Sequence, residues 1–69
     1  MEGTPISSSM IRSVGYDRDS STLEVEFNKG GVYQFGDVPL GEFEGLMSAS
    51  SHGKYFLANV KGRYPTLKL

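Results

Sequence analysis

Thr22-Leu-Glu-Val-Glu-Phe27, Asn28-Lys-Gly-Gly31 and Val32-Tyr-Gln-Phe35 follow one another without a break. Leu23, Val25 and Phe27 alternate with Thr22, Glu24 and Glu26, the period of a half-buried strand. Tyr33 and Phe35 resume the apolar face after the glycines, so the stretch reads as a β-hairpin. Pairing Phe27 with Tyr33 sets Val25 opposite Phe35 and gathers four large apolar side chains on one face. Asn28 and Val32 then close a three-residue loop, Lys29-Gly30-Gly31, in which glycine supplies the positive φ such loops need. A slip of one residue would bring Gln34 opposite Val25, and the hydrophobic pattern opposes it.

Working outward, Met10 to Tyr16 reads as the preceding strand. Val14 and Tyr16 agree on a face and Ile11 does not, which a bulge near Arg12–Ser13 would reconcile. Asp17-Arg-Asp-Ser-Ser21 is a turn by composition, since Asp and Ser side chains bond the local backbone. Residues 1–8 are small and polar and are expected to fray, leaving residues 9–69 as a single domain. Downstream, Asp37-Val38-Pro39 ends the sheet, with Asp37 as the expected N-cap of a helix over residues 39–49. Leu40, Phe43, Leu46 and Met47 stand at helical spacing in it. Gly41 and Gly45 disfavour that helix, and close packing against the sheet would account for Gly45.

Ser50 or Ser51 caps a second helix, residues 52–60, on which Tyr55, Phe56, Asn59 and Val60 share a face. Gly62 falls where a left-handed residue terminates a helix, with Lys61 near the negative end of the dipole. Arg63 to Leu69 reads as an extended tail. The fold expected is α+β: a three-stranded antiparallel meander followed by two short helices packed on one face. Its core is expected to be Val14, Leu23, Val25, Phe27, Tyr33, Phe35, Phe43, Leu46, Met47, Phe56 and Val60.

The chain has 69 residues, so most of its large apolar side chains are needed in one small core. It has no cysteine, which removes disulfides and thiolate metal sites. No apolar run approaches the roughly 20 residues of a membrane span, and the start of the chain lacks the basic flank and apolar stretch of a signal peptide. The sequence reads as soluble and cytoplasmic. Its net charge of −1 hides an asymmetry. Residues 1–44 carry three cations and eight carboxylates, while residues 45–69 carry Lys54, Lys61, Arg63 and Lys68 and no acid. Such a split marks either an interaction surface or two halves that attract each other across the fold.

Chemistry is thinly supplied. His52 is the sole histidine, and its neighbours Ser50 and Ser51 are too close in sequence for nucleophile–base geometry. His52 reads instead as an exposed residue of a first helical turn, and Asp17 and Asp19 read as turn formers. Lys29-Gly30-Gly31 joins two strands and does not open a helix, so it is no phosphate loop. No clustering of metal-ligand residue types exists. No enzyme activity, metal or cofactor is expected.

The succession Ser9-x-x-x-x-Val14-Gly15-Tyr16-Asp17, Leu23-x-Val25-x-Phe27, Gly31-x-Tyr33-x-Phe35, Val38-Pro39, Ser51-x-Gly53-x-Tyr55-Phe56 and Gly62-Arg63-Tyr64 resembles the KTSC domain family over residues 8–69. That family is named for the C-terminus of some lysyl-tRNA synthetases, and it also occurs as stand-alone bacterial or phage proteins. The resemblance makes Tyr16, Tyr33, Phe35, Gly53, Tyr55 and Phe56 the structural motif. The family's central Tyr-x-Tyr pair is Tyr33-Gln34-Phe35 here, so a role needing both hydroxyls is lost and a packing role is kept. The family has no established activity; attachment to a synthetase suggests RNA.

Two functional readings remain. In the first, Lys54, Lys61, Arg63 and Lys68 neutralise phosphates while Tyr64 stacks on a base, giving weak binding of RNA or another single-stranded nucleic acid. In the second, the domain is an adaptor that docks onto a larger protein through a sheet edge. Neither involves a membrane or a small-molecule substrate. The outer sheet face, carrying Thr22, Glu24, Glu26 and Gln34, is polar, so a monomer is expected.

Overall fold

The computed structural model describes residues 3–69. Five strands form one antiparallel sheet in the order β1-β2-β3-β4-β5. They are β1 (Thr4–Pro5), β2 (Ile11–Asp17), β3 (Thr22–Phe27), β4 (Val32–Phe35) and β5 (Thr66–Lys68). Helices α1 (Leu40–Ser48) and α2 (His52–Asn59) lie in the connection from β4 to β5. The α+β class stands, but three strands become five. Where fraying was expected over residues 1–8, Thr4 and Pro5 pair with Val14 and Ser13; Met1 and Glu2 lie outside the described residues. Where a tail was expected, Thr66, Leu67 and Lys68 pair with Phe35, Gln34 and Tyr33. Both additions are too short for any period to show, and their pairing depends on a neighbour that is distant in sequence or already formed.

The hairpin register also differs from the expected one. Val25 faces Tyr33 and Leu23 faces Phe35, two residues away from pairing Phe27 with Tyr33. An even slip leaves every side chain on its own face, so the apolar pattern cannot choose between the two registers. The loop chooses. Phe27 N–H donates to Gly31 O (3.1 Å), and Gly30 N–H donates to Phe27 O (3.0 Å). The three loop residues are therefore Asn28, Lys29 and Gly30, and Gly30 and Gly31 both take positive φ (101° and 93°).

The bulge expected near Arg12–Ser13 is present: Ile11 faces Phe27 while Ser13 faces Glu26, which leaves Arg12 as the extra residue. The added residue brings Ile11 into phase with Val14 and Tyr16, and Ile11 is fully buried. The core comprises Ile11, Val14, Leu23, Val25, Phe35, Val38, Leu46, Phe56 and Val60. Ile11 and Val38 join the expected set; Phe27, Tyr33, Phe43 and Met47 are half-buried at its margin. Val38 is held from both sides, its N–H donating to Ser21 O (2.9 Å) and its carbonyl accepting from the Tyr16 hydroxyl (2.5 Å).

Asp37 is not a helix cap. It takes a positive φ of 58°, Pro39 occupies the N-cap position, and no side chain caps α1. Glu42 in the first turn complements the helix dipole instead. The second cap is as expected: Ser51 Oγ accepts from Lys54 N–H (3.3 Å). Gly62 has φ 78° and ends the chain's helical course. Both helices pack on one sheet face, Phe43 of α1 stacking on Tyr16 at 4.9 Å and Phe56 of α2 meeting Phe35 edge-on at 5.5 Å. The other face carries cross-strand polar pairs, Gln34 to Glu24 and Ser13 to Glu26.

Candidate functional site

The two helices leave part of their sheet face uncovered. Between the hairpin, β5 and the end of α2 lies an open groove of about 670 Å³, within the range of small-ligand clefts, about 300–1,000 Å³. Phe27, Tyr33, Phe35 and Phe56 line it. Their rings interlock edge-to-face, Phe27 meeting Tyr33 at 5.5 Å and Phe56 at 5.4 Å. Phe35 and Phe56 are almost wholly buried, while Phe27 and Tyr33 are half-buried and give the groove its reachable aromatic surface. Leu57 of α2 lines it too and is 51% exposed.

The charge at the groove is of one sign. Lys29 from the hairpin loop and Lys61, just past the end of α2, line it, and among the described residues no carboxylate does. Strand alternation accounts for this: Glu24 and Glu26 face away, on the polar side of β3, where they bond Gln34 and Ser13. Lys68 faces Tyr33 across the β4–β5 ladder, and its Nζ stands 5.9 Å from the Tyr33 ring centroid.

The basic residues singled out by sequence divide. Lys61 lies in the groove and Lys68 at its Tyr33 wall. Lys54, in the first turn of α2, and Arg63, beyond Gly62, are exposed and are not part of the lining. Tyr64 is not a free stacking ring. It is half-buried, and its hydroxyl donates to Glu42 Oε1 (3.0 Å). The Tyr55 hydroxyl donates to Glu42 Oε2 (2.5 Å), so one carboxylate ties α1, α2 and the following turn together. The hydrogen bond to Glu42, aided by burial, raises the Tyr55 pKa above its usual value. For Tyr64 burial is the larger cause and the same carboxylate adds to it. Sequence reasoning missed Lys29, Leu57 and Glu42; the hairpin loop was the one legible signal, since it places Lys29 at the tip beside Phe27.

His52 is not a free surface residue. Its Nδ1–H donates to Leu46 O (2.8 Å), which fixes the tautomer and bridges the two helices. Ser51 Oγ is taken by its cap bond. Of the motif residues, Phe35 and Phe56 belong to the core and Tyr16, Tyr33 and Tyr55 pack against it, with Tyr33, Phe35 and Phe56 lining the groove. A Cβ on Gly53 would meet Met10 at an ordinary 3.6 Å. Among the described residues, no group of three His, Cys, Asp or Glu is placed to hold a metal, and no helix is long and apolar enough to cross a membrane.

The KTSC domain family matches residues 7–64. The chain is 40% identical to a KTSC domain protein from Yersinia pestis whose crystal structure superposes with a TM-score of 0.97, covering 99% of this chain and 96% of that one. It is 39% identical over 56 residues to an uncharacterised protein of Stutzerimonas stutzeri, covering 81% of this chain and 79% of that protein. It is also 39% identical over 56 residues to a lysine–tRNA ligase of Trichormus variabilis, of which it spans 10%. No catalytic family is indicated for a chain of this extent.

Proposed function

The chain belongs to the KTSC domain family, and from that premise we propose that it is a non-catalytic module that binds single-stranded nucleic acid weakly through the lysine-rimmed groove. The observation that carries this reading is the groove's composition: reachable aromatic rings of Phe27 and Tyr33, bordered by Lys29, Lys61 and Lys68, with no carboxylate in its lining among the described residues. Cations neutralise phosphates, and aromatic faces stack on bases of any sequence. The matching segment within lysine–tRNA ligases gives the same reading independent support, because it attaches such a domain to an enzyme that handles RNA. The family's Tyr33 position keeps its ring here, and the lost second hydroxyl at Phe35 is no obstacle, since stacking needs a π-face and not a hydroxyl. Lys54 and Arg63 stand outside the groove and act at most as distant phosphate contacts.

Titrating isotope-labelled protein with an eight-nucleotide oligouridylate at low salt tests the proposal. Shifts at Lys29, Tyr33, Lys61 and Lys68, reversed by added salt and lost in Lys29→Glu with Lys61→Glu, are expected. Absence of any shift at low salt would refute it. A second reading has one observation in its favour: Leu67 and Leu69 are 59% and 61% exposed at the edge of the sheet, where a partner's strand could pair with β5. Under that reading an unpaired-strand peptide would shift β5 amides and leave Lys29 untouched.

A further inference from the structure

We infer that the groove is a slot for a single unstacked nucleobase, held on the face of Tyr33, with the flanking phosphates of its strand on Lys29 and Lys61. The inference rests on the nucleic-acid reading above and narrows it from a basic surface to one base per domain. The volume, about 670 Å³, admits a base together with its sugar and phosphate, and the rings set the number: of the lining aromatics, Tyr33 is the one with a cation at its face among the described residues. Exposure narrows the stacking residue to Phe27 and Tyr33, and the cation at the Tyr33 ring selects it. Phe35 and Phe56 show almost no surface, and Tyr64, the ring the sequence favoured, is bonded to Glu42. Tyr33 is half-buried, lines the groove, and has an ammonium group, Lys68 Nζ, near its ring at 5.9 Å.

A cation near a ring at that distance marks a π-surface that attracts charge and is not sealed by packing. Lys68 is exposed, and in the proposed complex it exchanges the ring for a phosphate when a base takes its place. Leu57, 51% exposed in the same groove, offers apolar contact to the base. Lys29 and Lys61 come from two separate elements, the hairpin loop and the end of α2, so the two phosphates that flank one nucleotide have separate partners. Bases inside a duplex are stacked on each other and have no free face, so a double strand is excluded from such a slot.

The test compares four probes on the intact chain: the oligouridylate, adenosine 5′-monophosphate, ribose 5-phosphate and a ten-base-pair duplex. Expected are ring shifts at Tyr33 and Phe27 with the first two, contacts between base protons and the Tyr33 ring in nuclear Overhauser spectra, and no ring shifts with ribose 5-phosphate. Tyr33→Leu keeps apolar bulk and removes the π-face. It should weaken oligouridylate binding at least about fivefold, the low end of a loss of about 1–3 kcal/mol per stacked base, while leaving the salt dependence unchanged. If Tyr33→Leu fails to fold, Leu57→Ser at an exposed position should still weaken the oligouridylate, and the base-to-Tyr33 contacts are read on the unaltered protein. Oligouridylate binding with no contact to Tyr33 would overturn the slot and leave the nucleic-acid reading standing, whereas duplex binding of equal strength would overturn the slot and the single-strand preference together. No binding of the oligouridylate would overturn both. An acidic peptide that displaces bound adenosine monophosphate at lower concentration than the oligouridylate does would also overturn the slot.

Discussion

Glu42 shows how one side chain joins distant parts of the chain. Its two oxygens accept from Tyr55 and Tyr64, residues 13 and 22 positions away. Hydrogen bonds to a charged acceptor contribute about 1.5–3 kcal/mol each when desolvated, and less when partly open to solvent. Glu42→Ala should therefore cost about 1–3 kcal/mol, measured by chemical denaturation, with Tyr64 released to solvent. The two tyrosines also set an alkaline limit. Both have pKa values raised in the folded state, so their contribution is complete below the unfolded tyrosine pKa of about 10 and is lost as pH rises through the folded values. An ultraviolet tyrosinate titration should show two hydroxyls ionising late, and Glu42→Gln should return Tyr55 toward the ordinary range more than Tyr64, whose larger cause is burial. Nothing in the sequence around Glu42 announces this role, because an acid in the first turn of a helix is an ordinary surface residue. Phe56, by contrast, was legible from its helical spacing. It is 4% exposed against Phe27 and Phe35, and Phe56→Ala should cost about 3–5 kcal/mol and leave little folded protein by circular dichroism.

At the scale of elements, the two glycines of α1 separate by what surrounds them. A Cβ on Gly45 would collide with the Tyr55 ring and hydroxyl, so Gly45 lets the helices approach each other; the close contact is with α2, not with the sheet. Gly41 has open space around it. Gly41→Ala should stabilise by about 0.5–1 kcal/mol, and Gly45→Ala should destabilise by forcing Tyr55 off Glu42, both read from denaturation midpoints. β5 makes a third expectation: the amides of Gly36 and Leu69 donate to Pro65 O and Val32 O, and both should resist hydrogen exchange where a free tail would not. The meander, the bulge and the second helix were legible because each rests on local signals: alternation, a phase error at Ile11, and the Ser51 cap. The hairpin register and β5 were not, because an even slip preserves both faces and a three-residue strand has no period. The candidate site followed the same divide. Lys61 and Lys68 could be named from charge, but Lys29 belongs to the acidic half of the sequence and joins them only because the hairpin folds its tip toward α2.

Across the whole molecule, charge at the groove divides by sheet face, while Glu42 and Glu44 sit on α1 outside its lining. The outer face holds Glu24 and Glu26, and the helix-bearing face opens to a groove lined by two lysines with a third at Tyr33. That separation is the central claim, and its consequence is electrostatic: three lysines that neutralise three phosphates of a single strand release counterions in proportion. The decisive measurement is the oligouridylate dissociation constant as a function of salt, for the unaltered chain and for Lys61→Glu. The account predicts a slope of about −2 in log affinity against log salt, falling to about −1.4 in the variant, from roughly 0.7 per phosphate contact. A slope near zero, or one that Lys61→Glu leaves unchanged, would contradict it.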